Sequence, residues 1–507
     1  GMFLLHNFMR GYKMTKQQEP RALIVIFGAT GDLAMRKLYP SIFNLCRNGQ
    51  IDENVAIIGA ARKPWNHMEF RQRVLESISN NLESDESPNA FLSRFYYQQV
   101  DVTDEASYKE LHHLVIDLEE KYDTDGNRMF YLAMAPEFFG MIAQRIDKFG
   151  LKDSDGWTRL VIEKPFGHDL ASAQKLNNEV REAFDEDQIY RIDHYLGKEM
   201  VQNIEVIRFA NGIFGHLWNN QFISNIQITS SESLGVEERF HFYNQSGAAR
   251  DMVQNHMLQM LALLAMEPPI TLDTDEVRSE KIKVFRAMRR IKPDKVDEYF
   301  VRGQYDRGEI NGKQVVSYQE EHEDLKGSNT ETFVAGKIYI DNYRWAGVPF
   351  YIRTGKRMAE KAAKIVVEFK NMPMNLYYDE KDKQQPNLLV INVQPEEGVT
   401  LHLNAKSNKP GTQAEPIKLS YLYNHKSGMR SPEAYEKLLL DCMLGDATNF
   451  THWDEVALSW AFIDSVIEGW KRKKPNFPNY KAGTMGPDAA HELLEKDGFH
   501  WWPIKDI

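Results

Sequence analysis

Cysteine is nearly absent. Cys46 and Cys442 are the only two in 507 residues. Two thiols so far apart build neither a disulfide framework nor a thiolate zinc site, so no metal is expected and a reducing, cytoplasmic setting is the default. Long apolar runs are missing as well. No stretch approaches the ~20 residues that cross a bilayer. Phe3-Leu4-Leu5 is broken by His6, Arg10 and Lys13 before a signal-peptide core forms, and residues 1–20 read as a loose tail. Basic excess is absent: 62 Lys and Arg stand against 73 Asp and Glu, a net charge of −11. That excludes a nucleic-acid binder, which needs a basic face to displace counterions, and gives no attraction to an anionic membrane. Fixed-period repeats are absent too. A chain this long exceeds one core and predicts at least two domains.

What is present begins with a strand, a tight turn, a helix and a second strand over 21–62. Leu23-Ile24-Val25-Ile26-Phe27 is apolar throughout, as in a parallel strand buried on both faces. It runs into Gly28-Ala29-Thr30-Gly31-Asp32-Leu33-Ala34, a G-x-x-G-x-x-A form of the dinucleotide fingerprint. Glycines allow a sharp turn and close approach to a pyrophosphate, and the next helix offers its N-terminus. Pro40 within that helix predicts a kink or an early break. The second strand, Val55-Ala56-Ile57-Ile58-Gly59, leads to Ala60-Ala61-Arg62-Lys63 without an acid. An acid there would hold a ribose 2′-hydroxyl, whereas Arg62 suits a 2′-phosphate, so NADP is favoured. Arg62 and Lys63 also read, more plainly, as two solvated surface charges.

Further strands over 94–100, 129–133 (closed by Pro136), 158–162 and 188–192 alternate with helices. They predict a Rossmann-like, doubly wound parallel sheet over 21–199. Ligands of such sheets bind at the strands' carboxyl ends. After 158–162 comes Glu163-Lys164-Pro165-Phe166-Gly167, where Pro165 holds Lys164 extended. After 188–192 comes Asp193-His194-Tyr195-Leu196-Gly197-Lys198-Glu199, ahead of a helix. His194 and Lys198 at a helix start suit a phosphate, although an Asp cap with incidental surface charges explains the same spacing. A helix over 248–266 carries Met252, Val253, His256, Met257, Met260, Leu261 and Leu264 on one face. His256 is its one polar member. It is either a satisfied core histidine or, beside a carboxylate, a tuned general base. Asp251 and Asn255 fall on the neighbouring face.

From about 223 the pattern becomes apolar–polar alternation over 223–233, 336–342, 348–354, 364–370, 387–394 and 399–405. This predicts an antiparallel sheet with one wet face. Amphipathic helices over 433–444 and 452–470 would cover a face. Residues 200–507 therefore read as a larger α+β domain for substrate binding and oligomerisation, with a homodimer or homotetramer expected.

Several segments together identify a family. They are Gly28–Ala34, Glu163–Gly167, Arg191–Glu199, Asp251-Met-Val-Gln-Asn-His256, Gly347-Val-Pro-Phe350, Arg353-Thr-Gly-Lys356, Val393-Gln-Pro395 and Glu433–Asp441. In this order, over about 21–480, the chain resembles the glucose-6-phosphate dehydrogenase family. The resemblance implies NADP-dependent oxidation of C1 of β-D-glucose 6-phosphate to the 1,5-lactone, the first step of the oxidative pentose phosphate pathway. It implies His256 as general base, Asp193 as its orienting carboxylate, and Lys164 bridging substrate and cofactor, with a cis bond before Pro165. His194, Tyr195 and Lys198 match the 6-phosphate site, with Lys356 reaching it or nearby oxygens. Glu232 and Asp251 match sugar-hydroxyl acceptors, and Lys361 and Gln394 weaker substrate positions. Thr30, Lys37 and Arg62 match the 2′-phosphate side of NADP. Ala135, before Pro136, departs from the second proline of many members. Two other readings compete: an oxidoreductase for an unphosphorylated sugar, against which the cluster His194, Lys198 and Lys356 speaks, and a sensor without catalysis, against which His256 and Asp193 speak.

Overall fold

The computed structural model describes residues 19–378, 384–411, 413–423 and 433–507. The expected tail over 1–20 lies, up to residue 18, outside them. The chain divides into two units. The first runs through Lys164 and adds Leu176–Ile192 and Tyr435–Phe450. The second comprises Pro165–Lys175, Asp193–Ala434 and Thr451–Ile507. The boundary expected at 199/200 differs from this division: Asp193 and His256 share the second unit, and a late helix joins the first.

The first unit is built on strands β1 (Ala22–Phe27), β2 (Val55–Ala61), β3 (Phe95–Gln99), β4 (Arg128–Leu132), β5 (Thr158–Glu163) and β6 (Ile189–Ile192). They lie side by side as β6-β5-β4-β1-β2-β3, every pair parallel. β1 is apolar throughout and buried at every residue; β4 is buried too, with Arg128, bonded to Glu119 Oε1 at 3.0 Å, ahead of its apolar run Met129–Leu132. Strand order reverses between β1 and β4, the switch point at which doubly wound sheets bind ligands. The helix expected to fail at Pro40 instead changes its bonding. Ala34–Leu38 forms a π-helix, and an α-helix, Tyr39–Arg47, restarts with Pro40 in its first turn, where a missing N–H costs little. The helix Ala434–Leu444 belongs to this unit, and its Leu438, Leu439, Cys442 and Met443 join the core of the sheet.

The second unit holds an eight-stranded sheet of β7 (Ile223–Ser231), β8 (Phe300–Gly303), β9 (Phe333–Tyr339), β10 (Pro349–Gly355), β11 (Ala362–Phe369), β12 (Leu388–Gln394), β13 (Gly398–Lys406) and β14 (Ala414–Leu422). Their order is β14-β13-β12-β11-β7-β10-β9-β8. All pairs are antiparallel except β7–β10, which is parallel. The expected wet face is covered at the sheet's centre. Asn225, Gln227 and Thr229 of β7 are buried. Gln227 donates to the His500 carbonyl at 2.8 Å and accepts the Trp502 amide at 2.9 Å, while Trp502 Nε1 donates to Glu368 at 2.8 Å. Alternation in sequence records which face is polar, and the C-terminal segment satisfies that face by hydrogen bonds instead of water.

Among the described residues no helix is long and apolar enough to cross a membrane, and no group of three ligating side chains forms a metal site. Cys46 and Cys442 are free, and burial pushes the Cys46 thiol up to about 11.

Candidate active site

At the switch point of the first unit, Gly28 has φ +81, and a Cβ on it would lie 2.2 Å from the Ala133 carbonyl oxygen. Only glycine fits there. Its amide donates to the Ala60 carbonyl at 3.0 Å, and the Tyr39 hydroxyl donates to the Ala29 carbonyl at 2.5 Å. The turn is thus held from β2 and from the following helix. A cleft of about 870 Å³ beside it is lined by Thr30, Lys37, Lys63, Trp65 and Arg73, among others. Arg62 is exposed one residue beyond β2. No acid stands at that strand end. A cradle that excludes a Cβ, next to clustered cations, fits a dinucleotide with an extra phosphate. Arg73 and Trp65 carry no motif, since they sit twelve and four residues past the end of β2. The Lys63 ammonium and the Arg73 guanidinium lie 5.2 and 5.7 Å from the Trp65 ring.

Lys164 is half-buried immediately after β5. Its neighbour Glu163 accepts the Tyr435 hydroxyl at 2.5 Å, and burial pushes the Glu163 carboxyl up to about 7. Pro136 opens a short 3₁₀ turn after β4. The cis bonds among the described residues precede Pro395 and Pro478, not Pro165, so the implied cis bond is not found.

The second unit brings the other residues together. Asp193 caps the 3₁₀ turn His194–Gly197, its Oδ1 accepting the Tyr195 amide at 3.0 Å. The same Oδ1 lies 2.5 Å from Nδ1 of His256. Both side chains are buried, His256 to 3 % and Asp193 to 2 % residual exposure. A carboxylate oxygen at Nδ1 favours the tautomer with the ring proton there, in which Nε2 carries the lone pair. The Tyr195 ring stacks on His256, centroids 4.4 Å apart, and its hydroxyl meets Ser230 Oγ at 2.9 Å. Lys198 Nζ donates to Gln394 Oε1 at 3.1 Å and sits 5.3 Å from the Tyr195 ring. Lys356 Nζ pairs with Glu232 Oε2 at 2.6 Å and lies 5.2 Å from the Tyr243 ring. The helix bearing His256 also departs from expectation: Ala249–Met257 is a π-helix, followed by α-helix over Leu258–Ala265.

Two family models match the chain: "Glucose-6-phosphate dehydrogenase, NAD binding domain" over residues 25–203, and the C-terminal domain of the same family over residues 205–502. The chain belongs to the glucose-6-phosphate dehydrogenase family. It is an oxidoreductase. The glucose-6-phosphate 1-dehydrogenase of Bacillus subtilis (strain 168) is 63% identical over 491 residues, 97% of this chain and 100% of that one. That of Streptococcus pneumoniae is 47% identical, over 96% of this chain and 98% of its own. A solved glucose-6-phosphate dehydrogenase in complex with its substrate glucose-6-phosphate has a TM-score of 0.89 at 34% identity, covering 97% of this chain and 100% of that one.

Within this dehydrogenase, not every expected residue joins the two clusters. Lys361 is exposed just before β11. Asp32 is exposed and pairs with Arg36 at 2.9 Å, while Ala29 and Leu33 pack into the core. Ser230 and Tyr243 were not foreseen, since a strand serine and a helix tyrosine carry no motif of their own.

Proposed function

We propose that this dehydrogenase oxidises C1 of β-D-glucose 6-phosphate to 6-phosphoglucono-1,5-lactone, with His256 as general base and Asp193 as its orienting carboxylate. The buried His256–Asp193 contact carries the reading. Burial alone makes imidazole a poorer base, and the adjacent carboxylate offsets this by stabilising the imidazolium that forms. Nε2 takes the proton of the C1 hydroxyl. A positioned base supplies typically ~10²–10⁴-fold in rate. His194, Tyr195, Lys198 and Lys356 bind the 6-phosphate, and Glu232 and Asp251 accept hydrogen bonds from sugar hydroxyls. Binding energy at the phosphate thereby positions C1.

We assign NADP as the cofactor, held by the Gly28–Gly31 turn with Pro136 and Lys164 nearby and by Thr30, Lys37 and Arg62 on the 2′-phosphate side. When bound, it supplies the hydride acceptor. Absorbance of the reduced cofactor, with purified protein, NADP and glucose 6-phosphate, tests the whole reading. No reduced cofactor overturns the activity, and equal turnover of unphosphorylated glucose overturns the phosphate assignment.

Association into a homodimer or homotetramer is supported by edge strand β14, where Ile417, Leu419 and Tyr421 are 36, 54 and 47 % exposed. An apolar edge strand invites pairing. Light scattering that returned a monomer at assay concentrations would remove this part. A cytoplasmic location accords with the two free thiols.

A further inference from the structure

In an α-helix, residues five apart point about 140° away from each other at 3.6 residues per turn. Asp251 and His256 are five apart, so an ordinary helix would aim them at different faces. The π-helix closes i→i+5 bonds, which turns residues five apart back towards the same face. Asp251 accordingly shares with the catalytic pair one neighbour, Tyr195. Its charge, with those of Asp193 and Glu232, adds to the burial that pushes the Tyr195 phenol up to about 12, and Tyr195 lies flat on His256.

A π-helix is a rare, poorly self-supporting structure and needs something to hold it. Here its first turn is gripped by Glu331, a buried residue just before β9. The Glu331 carbonyl accepts the Ala248 amide at 3.0 Å, and its carboxyl Oε1 accepts the Ala249 amide at 3.1 Å. The approach is close enough to require Gly247. That residue has φ 76 and ψ 168, and a Cβ on it would stand 2.3 Å from Glu331 Oε1. Flanking residues grip the preceding helix: Thr330 Oγ1 donates to the Asn244 carbonyl at 2.6 Å. On the other side, the Thr332 carbonyl accepts the Lys356 amide at 2.9 Å. One short segment, Thr330–Thr332, thus touches both the helix of the base and the backbone of the phosphate-side lysine.

We propose that Glu331 is a positioning residue for the reaction: its buried carboxyl anchors the π-helix in the register that sets Asp251 and His256 on one face, at a fixed spacing from Lys356. The proposal rests on the assignment of His256 as base. Its role is that of an acceptor at a set reach, so Glu331→Asp, which withdraws the acceptor by one methylene, and Glu331→Gln, which keeps an oxygen in place, separate it from bulk effects.

The test is steady-state kinetics on the full chain, with inorganic phosphate as a competitive probe of the anion site. Glu331→Asp should lower kcat about tenfold or more while the Ki for phosphate stays within about twofold. Glu331→Gln should recover most of that loss. Native kcat in Glu331→Asp overturns the proposal. So do parallel losses of kcat and phosphate affinity, which mark general loosening, and so does a Glu331→Gln as impaired as Glu331→Asp. If either variant fails to fold, Gly247→Ala, which pushes the same contact from the opposite side, must show the same split, and native kcat there overturns the proposal as well. His256→Asn is run alongside. If it stays active, the base assignment fails, independently of what Glu331 does.

Discussion

One oxygen of Asp193 serves two partners: Oδ1 lies 2.5 Å from His256 Nδ1 and 3.0 Å from the Tyr195 amide nitrogen. The first contact orients the His256 ring. The second caps the turn that carries His194 and Tyr195 and leads into Lys198. A single carboxylate therefore ties the proposed base to the turn proposed to bind the phosphate.

This arrangement sets the expected losses. His256→Asn removes the base and should lower kcat by ~10²–10⁴-fold with phosphate affinity unchanged. Asp193→Asn leaves an amide oxygen that still caps the turn but no longer stabilises imidazolium. It should lower kcat by ~10²–10⁴-fold with phosphate binding little changed. Steady-state kinetics with phosphate inhibition reads both, and near-native turnover in His256→Asn would return that residue to the core.

Lys356 pairs with Glu232 at 2.6 Å, so a phosphate bound by Lys356, as proposed, would have to draw the ammonium from a carboxylate already in place. Loss of one charge-assisted hydrogen bond costs roughly 1.5–3 kcal/mol. Lys356→Ala should raise KM for glucose 6-phosphate about tenfold or more and leave any turnover of unphosphorylated glucose unchanged. The ratio of the two substrates measures it, and an unaltered ratio removes Lys356 from the phosphate.

At the cofactor, Arg62→Ala should raise KM for NADP by roughly tenfold or more and change KM for NAD little, since the two differ only by the 2′-phosphate. Equal effects on both cofactors would reassign Arg62 to the solvated surface. Arg73→Ala offers the matching measurement for a cation that only the fold brings into the cleft.

Glu163 supplies a pH dependence of stability. Burial pushes its carboxyl up from 4.5 to about 7, against the opposing pull of the Tyr435 hydroxyl and the Lys164 charge. An acid with a raised folded pKa binds more protons folded than unfolded, so its contribution falls as pH rises between those two values. Below 4.5 it is fully present, and above 7 it is lost. The stability of the native protein relative to Glu163→Gln, from urea unfolding at several pH values, should therefore decline from about pH 4.5 to 7 and then level. A flat difference would mean that the carboxyl is not perturbed.

Much of this was legible in the chain itself. β1 announces itself by an unbroken apolar run and β4 by Met129–Leu132, and Gly28 by its place in the fingerprint between a strand and a helix. Asp193, His194, Tyr195 and Lys198 stand in one contiguous segment. His256 was visible as the single polar member of an apolar face. What stayed hidden depends on non-local geometry. The π-helix has no local signature, because its register is set by Glu331, over 70 residues downstream. Arg73 and Tyr243 look like ordinary helix residues until a cleft or a lysine lies beside them. The polar side of β7 reads as wet because nothing near it in sequence shows that residues around Trp502 cover it.

The helix Ala434–Leu444 bears on how the chain is made. It is synthesised some 240 residues after β6, yet Tyr435 holds Glu163, Asn44 bonds Glu436 at 2.7 Å, and Arg159 bonds the Cys442 carbonyl at 2.7 Å. The nucleotide-binding unit therefore leaves the ribosome with part of its apolar surface bare, and it closes only after most of the other unit has emerged. Such late, long-range completion slows folding and prolongs exposure of sticky surface. The last stretch of the first unit, and not its first 192 residues, sets when that unit becomes safe from aggregation.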